Sequence, residues 1–154
     1  MERKFEFVNR MISTGYEMKQ PPIKLPERST QYSAGYDFYN PEKVTIEPNK
    51  IAYVKTGVKA DMLSNEVLIL ANRSSNPKKK GLILINGIGV IDKDYYNNPD
   101  NEGEIAFAFM NITDEPVTLE VGEKLGQGIF IEYLTTVDDN AKGKRVGGFG
   151  STGK

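Results

Sequence analysis

Glu104-Ile-Ala-Phe-Ala-Phe-Met-Asn111 sets Ile105, Phe107 and Phe109 two residues apart, with alanine or methionine between. A period of two is the side-chain repeat of a strand, not of a helix. Outward from this stretch, the same reading finds short strands at 5–8, 35–39, 44–46, 51–59, 67–72, 82–85, 90–91, 105–111, 117–120 and 128–134. Pro41, Pro48, Pro77, Pro99 and Pro116 fall between these runs, where a missing N–H harms a ladder least. No long helical stripe interrupts them; a turn or two of helix is expected near 61–65. The spacing predicts an all-β sandwich or barrel-like jelly roll over residues 1–142. Residues 11–33, with Pro21, Pro22 and Pro26, read as an extended surface connection. Residues 143–154 hold five glycines in twelve positions and read as a flexible arm.

At 154 residues the chain suits one domain with one core. Apolar residues make up 38% and charged residues 27%, the balance of a globular protein. A net charge of −1 gives no reason to expect a stable nucleic-acid partner, and no apolar run is long enough for a bilayer. The opening Met1-Glu-Arg-Lys-Phe5 lacks the apolar segment of a secretion signal, so a cytoplasmic protein is expected. Two glycosylation sequons, at Asn72 and Asn111, are then accidental. The chain has neither cysteine nor histidine. That excludes disulfides, thiol nucleophiles, imidazole bases and the usual zinc sites. A catalytic base has to come from a carboxylate, a lysine or a tyrosine, and any metal is a hard, oxygen-liganded ion such as Mg²⁺.

Five stretches could carry chemistry. Ala71-Asn-Arg-Ser-Ser75 follows an apolar strand and enters a loop; Arg73 offers a planar fork matching phosphate oxygens, with Ser74 and Ser75 as hydroxyl donors. Read alone, it is equally a solvated turn. Asn86-Gly-Ile-Gly-Val-Ile-Asp-Lys-Asp-Tyr95 has two glycines for a tight hairpin, including Gly89, and an amide at Asn86 able to read a base edge. Val90 and Ile91 are expected to anchor it, with Asp92 held at the strand's end and Tyr95 free to pack on a sugar. An ordinary hairpin with an aspartate turn fits the same residues. Ser33-Ala-Gly-Tyr-Asp37 and Gly126-Gln-Gly128 are weaker, since aspartate beside glycine is usually turn chemistry. Gly148-Phe-Gly-Ser-Thr-Gly-Lys154 fits the first seven positions of a P-loop. That motif next requires Ser or Thr and a phosphate-holding helix, so no P-loop is expected. Successive glycine N–H groups can still wrap an anion.

Taken in order, these segments resemble the five motifs of the trimeric dUTPase family. They are Ser33 to Asp37, Arg73 to Ser75, Asn86 to Tyr95, Gly122 to Gln127, and Arg145 to Gly153. They span residues 33–153, about four fifths of the chain, and the nineteen-residue step from Arg73 to Asp92 agrees with the family spacing. The resemblance implies a jelly-roll subunit, a homotrimer with shared active sites, and cleavage of dUTP to dUMP and pyrophosphate. Such an activity keeps uracil out of DNA and supplies dUMP for thymidylate synthesis. Asp92 would deprotonate the water that attacks the α-phosphorus. Tyr95 would stack on the sugar and leave no room for a 2′-OH, while Asn86 and the hairpin backbone at Gly89 would read uracil. Arg73, Ser74, Ser75 and Gln127 would hold phosphate oxygens, and Asp37 would contact the water shell of a substrate-bound Mg²⁺. The arm would close over a neighbouring subunit's site, with Phe149 stacked on uracil, Ser151 and Thr152 on the γ-phosphate, and Gly150 among the substrate-binding residues.

Two departures stand out. The arginine usual in the fifth motif lies five residues before the phenylalanine, where this chain has Lys144; Arg145, four before, is favoured for its forked donors. Tyr96-Asn-Asn-Pro-Asp-Asn-Glu-Gly103 is an insertion, expected to lengthen a surface loop without altering the chemistry. Rival readings are a dCTP deaminase-like enzyme on the same fold, and a nucleotide-sensing protein that also binds a regulatory partner such as a repressor.

Overall fold

A computed structural model describes residues 2–150. The chain runs β1 (Lys4–Phe7), α1 (Asn9–Ser13), β2 (Glu27–Arg28), β3 (Tyr36–Tyr39), β4 (Val44–Ile46), β5 (Ile51–Lys55), β6 (Val58–Asp61) and β7 (Glu66–Asn72). It continues through α2 (Ser75–Lys80), β8 (Leu82–Leu84), β9 (Gly89–Asp92), β10 (Ala106–Asn111), β11 (Val117–Leu119) and β12 (Lys124–Glu132). The largest sheet has the order β2-β3-β12-β7-β9, and a second has β5-β10-β8. Two pairs, β1-β6 and β4-β11, complete the fold. Every strand pair is antiparallel, and the architecture is the expected all-β jelly roll.

The alternation in β10 explains how the sheets pack. Phe107 and Phe109 enter the core beside Phe38, Leu68, Ile91 and Leu125. Ala106 and Ala108 on the opposite face are also buried. Their small side chains leave space above that face, and the site's cavity lies there.

Several expectations need correction. The strand expected at 51–59 breaks into β5 and β6 at Thr56 and Gly57, where Gly57 takes a left-handed φ of 72°. No helix forms at 61–65: Asp61 ends β6, and Glu66 draws the turn in by accepting from the Leu63 N–H. The late strand begins at Lys124 rather than 128, so Gln127 lies within a ladder. The connection at 11–33 is partly helical, with α1 seating Met11 in a small cluster with Val8 and Ile23. The stretch after Arg73 is not a loop but α2. Asn72 and Asn111 both spend their side chains on internal hydrogen bonds, in keeping with accidental sequons. Among the described residues no helix is long and apolar enough to cross a membrane.

Candidate active site

Asp92 is placed by the β7–β9 ladder. Leu70 faces Gly89, Ile69 faces Val90, Leu68 faces Ile91 and Val67 faces Asp92. Strand alternation sends Ile91 into the core, 2% exposed, and Val90 outward, 54% exposed, so Ile91 alone anchors the strand. Asp92 ends the strand with its carboxylate toward solvent. A 3₁₀ turn at Lys93–Tyr95 then folds the Tyr95 ring inward. Its hydroxyl donates to the Glu104 carbonyl at 2.9 Å and accepts from Asn101 Nδ2 at 2.7 Å. Burial pushes the Tyr95 hydroxyl's pKa up, with Asn101 opposing.

Behind this edge lies a cavity of about 120 Å³. Its walls include Leu70, Leu84, Gly89, Ala106 and Ala108, with Tyr53, Ile85 and Asn86 at its margin. Apolar protein cavities of about 150 Å³ accept benzene, so the scale is that of one planar ring. A side chain on Gly89 would press on Leu70, which explains the glycine beside the cavity.

The hairpin expected over Asn86–Tyr95 does not form, because β8 pairs with β10 and β9 with β7, so the glycines there turn the chain from one sheet to the other. The arm packs on this same chain's Asp92–Tyr95 segment. Arg145 Nη2 lies 2.7 Å from Asp92 Oδ2, and its Nε lies 2.8 Å from Asp94 Oδ1. The guanidinium sits over the Tyr95 ring, 5.6 Å from the centroid, within cation–π range. Burial opposes the guanidinium's charge, but Asp94 and Asp92 outweigh it and raise its pKa. Lys144 is exposed, so of the two basic candidates Arg145 reaches the site. Phe149 lies 5.6 Å from Tyr95 and 6.2 Å from Tyr53, ring to ring. The resemblance implied a neighbour's site for this arm; within the single chain it covers its own. Gly150 is exposed with a positive φ, and Ser151 and Thr152 lie outside the described residues.

A second cluster gathers at the other end of β7. Asp37 on β3 faces Gln127 on β12, which faces Ala71 on β7; Arg73, Ser74 and Ser75 follow directly. A Cβ on Gly35 would collide with the Gln127 side chain, which is why the first segment needs glycine there. Asp37 Oδ2 accepts from Lys124 Nζ at 2.7 Å and from Ser29 at 2.6 Å. Burial raises the Asp37 pKa, but Lys124 and Ser29 outweigh it and hold the carboxyl below its ordinary value.

The turn carrying Arg73 is fastened by Asn72, whose structural part the sequence did not reveal, and by Asn76, which it did not mark at all. Asn72 Oδ1 accepts from the Arg73 N–H and from Asn76 Nδ2, and Asn76 also donates to the Leu125 carbonyl. The signal available was polar residues flanking Arg-Ser-Ser; their inward direction was not readable.

The two clusters do not meet in one chain. Asp92 sits opposite Val67, and Arg73 lies six residues along from Val67. At ~3.3 Å per strand residue, that separation is roughly 20 Å. Among the described residues no three acidic groups come together to hold a metal ion.

Comparison with known proteins gives the family and the fold. Residues 21–153 match the dUTPase family. The deoxyuridine 5'-triphosphate nucleotidohydrolase of Lactococcus lactis is 50% identical over 153 residues, covering 98% of this chain and 97% of that protein. Its counterpart in Desulfitobacterium hafniense is 33% identical over 150 residues, covering 92% and 95%. The crystal structure of dUTPase from Streptococcus mutans superposes with a TM-score of 0.76 at 46% identity, covering 86% of this chain and 97% of that one. A mutant dUTPase from phage phi11 of S. aureus, described for its coordination of a structural Mg(II) ion, shares the fold at 20% identity. Its TM-score is 0.71, with 93% and 98% of the two chains covered.

Proposed function

The chain belongs to the dUTPase family and is a dUTP nucleotidohydrolase, and from that premise we propose that Asp92 is its general base. The observation that carries this is a carboxylate at the rigid end of β9, beside a ring-sized cavity and facing the arginine of the arm. Water held by Asp92 attacks the α-phosphorus, and its proton passes to the carboxylate. The bond from the α-phosphorus to the bridging oxygen breaks, and pyrophosphate leaves with the electron pair. Such a base contributes about 10²–10⁴-fold.

Uracil occupies the cavity edge, where Asn86 and the backbone at Gly89 read its polar groups; such hydrogen-bonded recognition rejects mispaired bases strongly. Tyr95 packs against the deoxyribose. A triphosphate competes with Asp92 for the Arg145 guanidinium, and the exchange frees the carboxylate to take a proton. Phe149 and Gly150 close over the base, and Ser151 and Thr152 complete the γ-phosphate site. Closure excludes water and gathers donors round the charge.

Arg73, Ser74, Ser75 and Gln127 hold phosphate oxygens. Since they lie roughly 20 Å from Asp92 along β7 in one chain, the phosphates at one Asp92 require the Arg73 cluster of another copy. A homotrimer with shared sites meets that requirement. A Mg²⁺ ion would accompany the triphosphate as its counterion. Asp37 suits a contact through water, because both its protein partners use Oδ2, and Mg²⁺ binds few carboxylates while keeping its waters. When bound, the ion neutralises phosphate charge.

Pyrophosphate release measured over dUTP, UTP, dTTP and dCTP, with and without Mg²⁺, tests the assignment. Only dUTP with Mg²⁺ should turn over rapidly, and ammonia from dCTP would point to deamination instead. Asp92→Asn should bind dUTP and lose about 10²–10⁴-fold in turnover; surviving turnover would remove Asp92 as the base.

A further inference from the structure

The insertion at 96–103 is not the independent surface loop that its polarity suggests. Asn98 ties it inward: Nδ2 donates to the Tyr95 carbonyl at 2.8 Å and to Asn101 Oδ1 at 2.7 Å. Its Oδ1 accepts from the N–H groups of Asp100 and Asn101, each at 3.1 Å. Lys59 Nζ bridges the two ends, donating to Asn97 at 2.7 Å and to Glu102 at 2.8 Å. A loop fastened at both ends can hold its middle residues at set positions.

Both middle residues meet the active site. Asn101 donates to the Tyr95 hydroxyl, and Asp100 Oδ2 accepts the Gly148 N–H at 3.2 Å. The approach at Gly148 is close: a Cβ there would come within 3.0 Å of both Asp100 Oδ2 and Asn101 Nδ2. The next residue along the arm is Phe149, already placed beside Tyr95.

We infer that Asp100 and Asn101 are positioning residues, and that the insertion is a latch. Asn101 orients the sugar-facing Tyr95, and Asp100 catches the arm by the Gly148 N–H, so that Phe149 docks in register. The inference rests on the arm acting as the lid over the nucleotide. The latch engages a backbone donor, so any arm carrying glycine at this position is caught in the same way, whether it comes from the same chain or from another copy.

The test uses the full chain. Asp100→Ala should lower kcat/KM for dUTP about 3- to 10-fold, mostly through KM, the size of one exposed hydrogen bond. It should also speed tryptic cleavage after Lys144 and Arg145 by a similar factor, with α,β-imido-dUTP as the closing ligand. Asp100→Asn keeps an acceptor oxygen and should stay within about twofold of the parent on both readouts. In a Phe149→Ala background, where the lid no longer docks, adding Asp100→Ala should cost little more. Full additivity there, cleavage unchanged in Asp100→Ala, or an Asp100→Asn defect equal to that of alanine would each overturn the latch. Asp92→Asn, assayed beside them, judges the proposed base separately.

Discussion

Replacing Arg145 by alanine separates a catalytic role from a structural one, because the two predict different magnitudes. The guanidinium is nearly covered, 7% exposed, but its partners Asp92 and Asp94 are 52% and 56% exposed. Ion pairs with one partner in solvent are screened and contribute about 0–1 kcal/mol. Losing both, with solvent screening allowed for, costs about 1 kcal/mol, or about 2–4 °C of melting temperature in a chain of this size. With substrate bound, the same fork would face phosphate charge. A hydrogen bond to a charged group contributes about 1.5–3 kcal/mol, which corresponds to about 10- to 150-fold in rate. Arg145→Ala should therefore leave the melting curve nearly in place and lower kcat/KM for dUTP by one to two orders of magnitude. Arg145→Lys should fall between, since lysine keeps the charge and loses the fork. The measurements are differential scanning calorimetry and initial-rate pyrophosphate release on the same preparations. A fall of ten degrees or more with kcat/KM within twofold of the parent would refute the exchange of Arg145 from carboxylate to phosphate.

Other perturbations give equally defined outcomes. Tyr95→Phe keeps the ring but strands the Glu104 carbonyl and Asn101 Nδ2, at a cost of about 1–3 kcal/mol; an unchanged urea midpoint would show that neither bond contributes. Gly126→Ala drives a methyl into the buried Phe107 ring, and overpacking of this kind costs about 1–3 kcal/mol by chemical denaturation. Stability should fall on acidification. The Arg3 fork holds Glu66 below the usual carboxylate range, while for Asp37 and Glu102 burial works against ionisation but Lys124 with Ser29, and Lys59, outweigh it. Each pKa is depressed by folding, so its contribution is complete above the unfolded value of about 4 and drains as pH falls through the lower folded value. A melting series from neutral pH downward should show that loss, and Arg3→Ala should flatten it; parallel curves for parent and variant would exclude the Glu66 contribution.

The elements legible in advance were those whose cause is local. Strands β4 and β10 follow from residue type and period, and so does the strand that ends at Asp92; the hairpin expected before it does not form, because β8 and β9 find their partners in different sheets. Where a remote contact decides the conformation, the reading failed. Residues 61–65 carry helix-compatible residues, yet the turn is captured by Glu66, itself fastened by Arg3, 63 residues earlier. The helix at Ser75–Lys80 contains Pro77 and carries no apolar stripe; Asn76 holds it by reaching the Leu125 carbonyl on β12. Val90 was wrongly assigned to the core because adjacent apolar residues on a strand look alike until a neighbouring strand shows which face is covered.

By itself the amino-acid sequence determined that the chain is all-β and that its chemistry must do without thiol or imidazole. It also ordered five segments that mark a nucleotide hydrolase, with Asp92 at the end of a strand. Period, turn residues and composition act over a few positions and are written along the chain. The tertiary structure decided that Arg145 rather than Lys144 meets Asp92, that Asp37, Arg73 and Gln127 share one end of a sheet far from that carboxylate, and that a polar insertion reaches back to Tyr95 and Gly148. Those relations depend on strand pairing between residues dozens of positions apart, and such distances exist only once the sheets have closed.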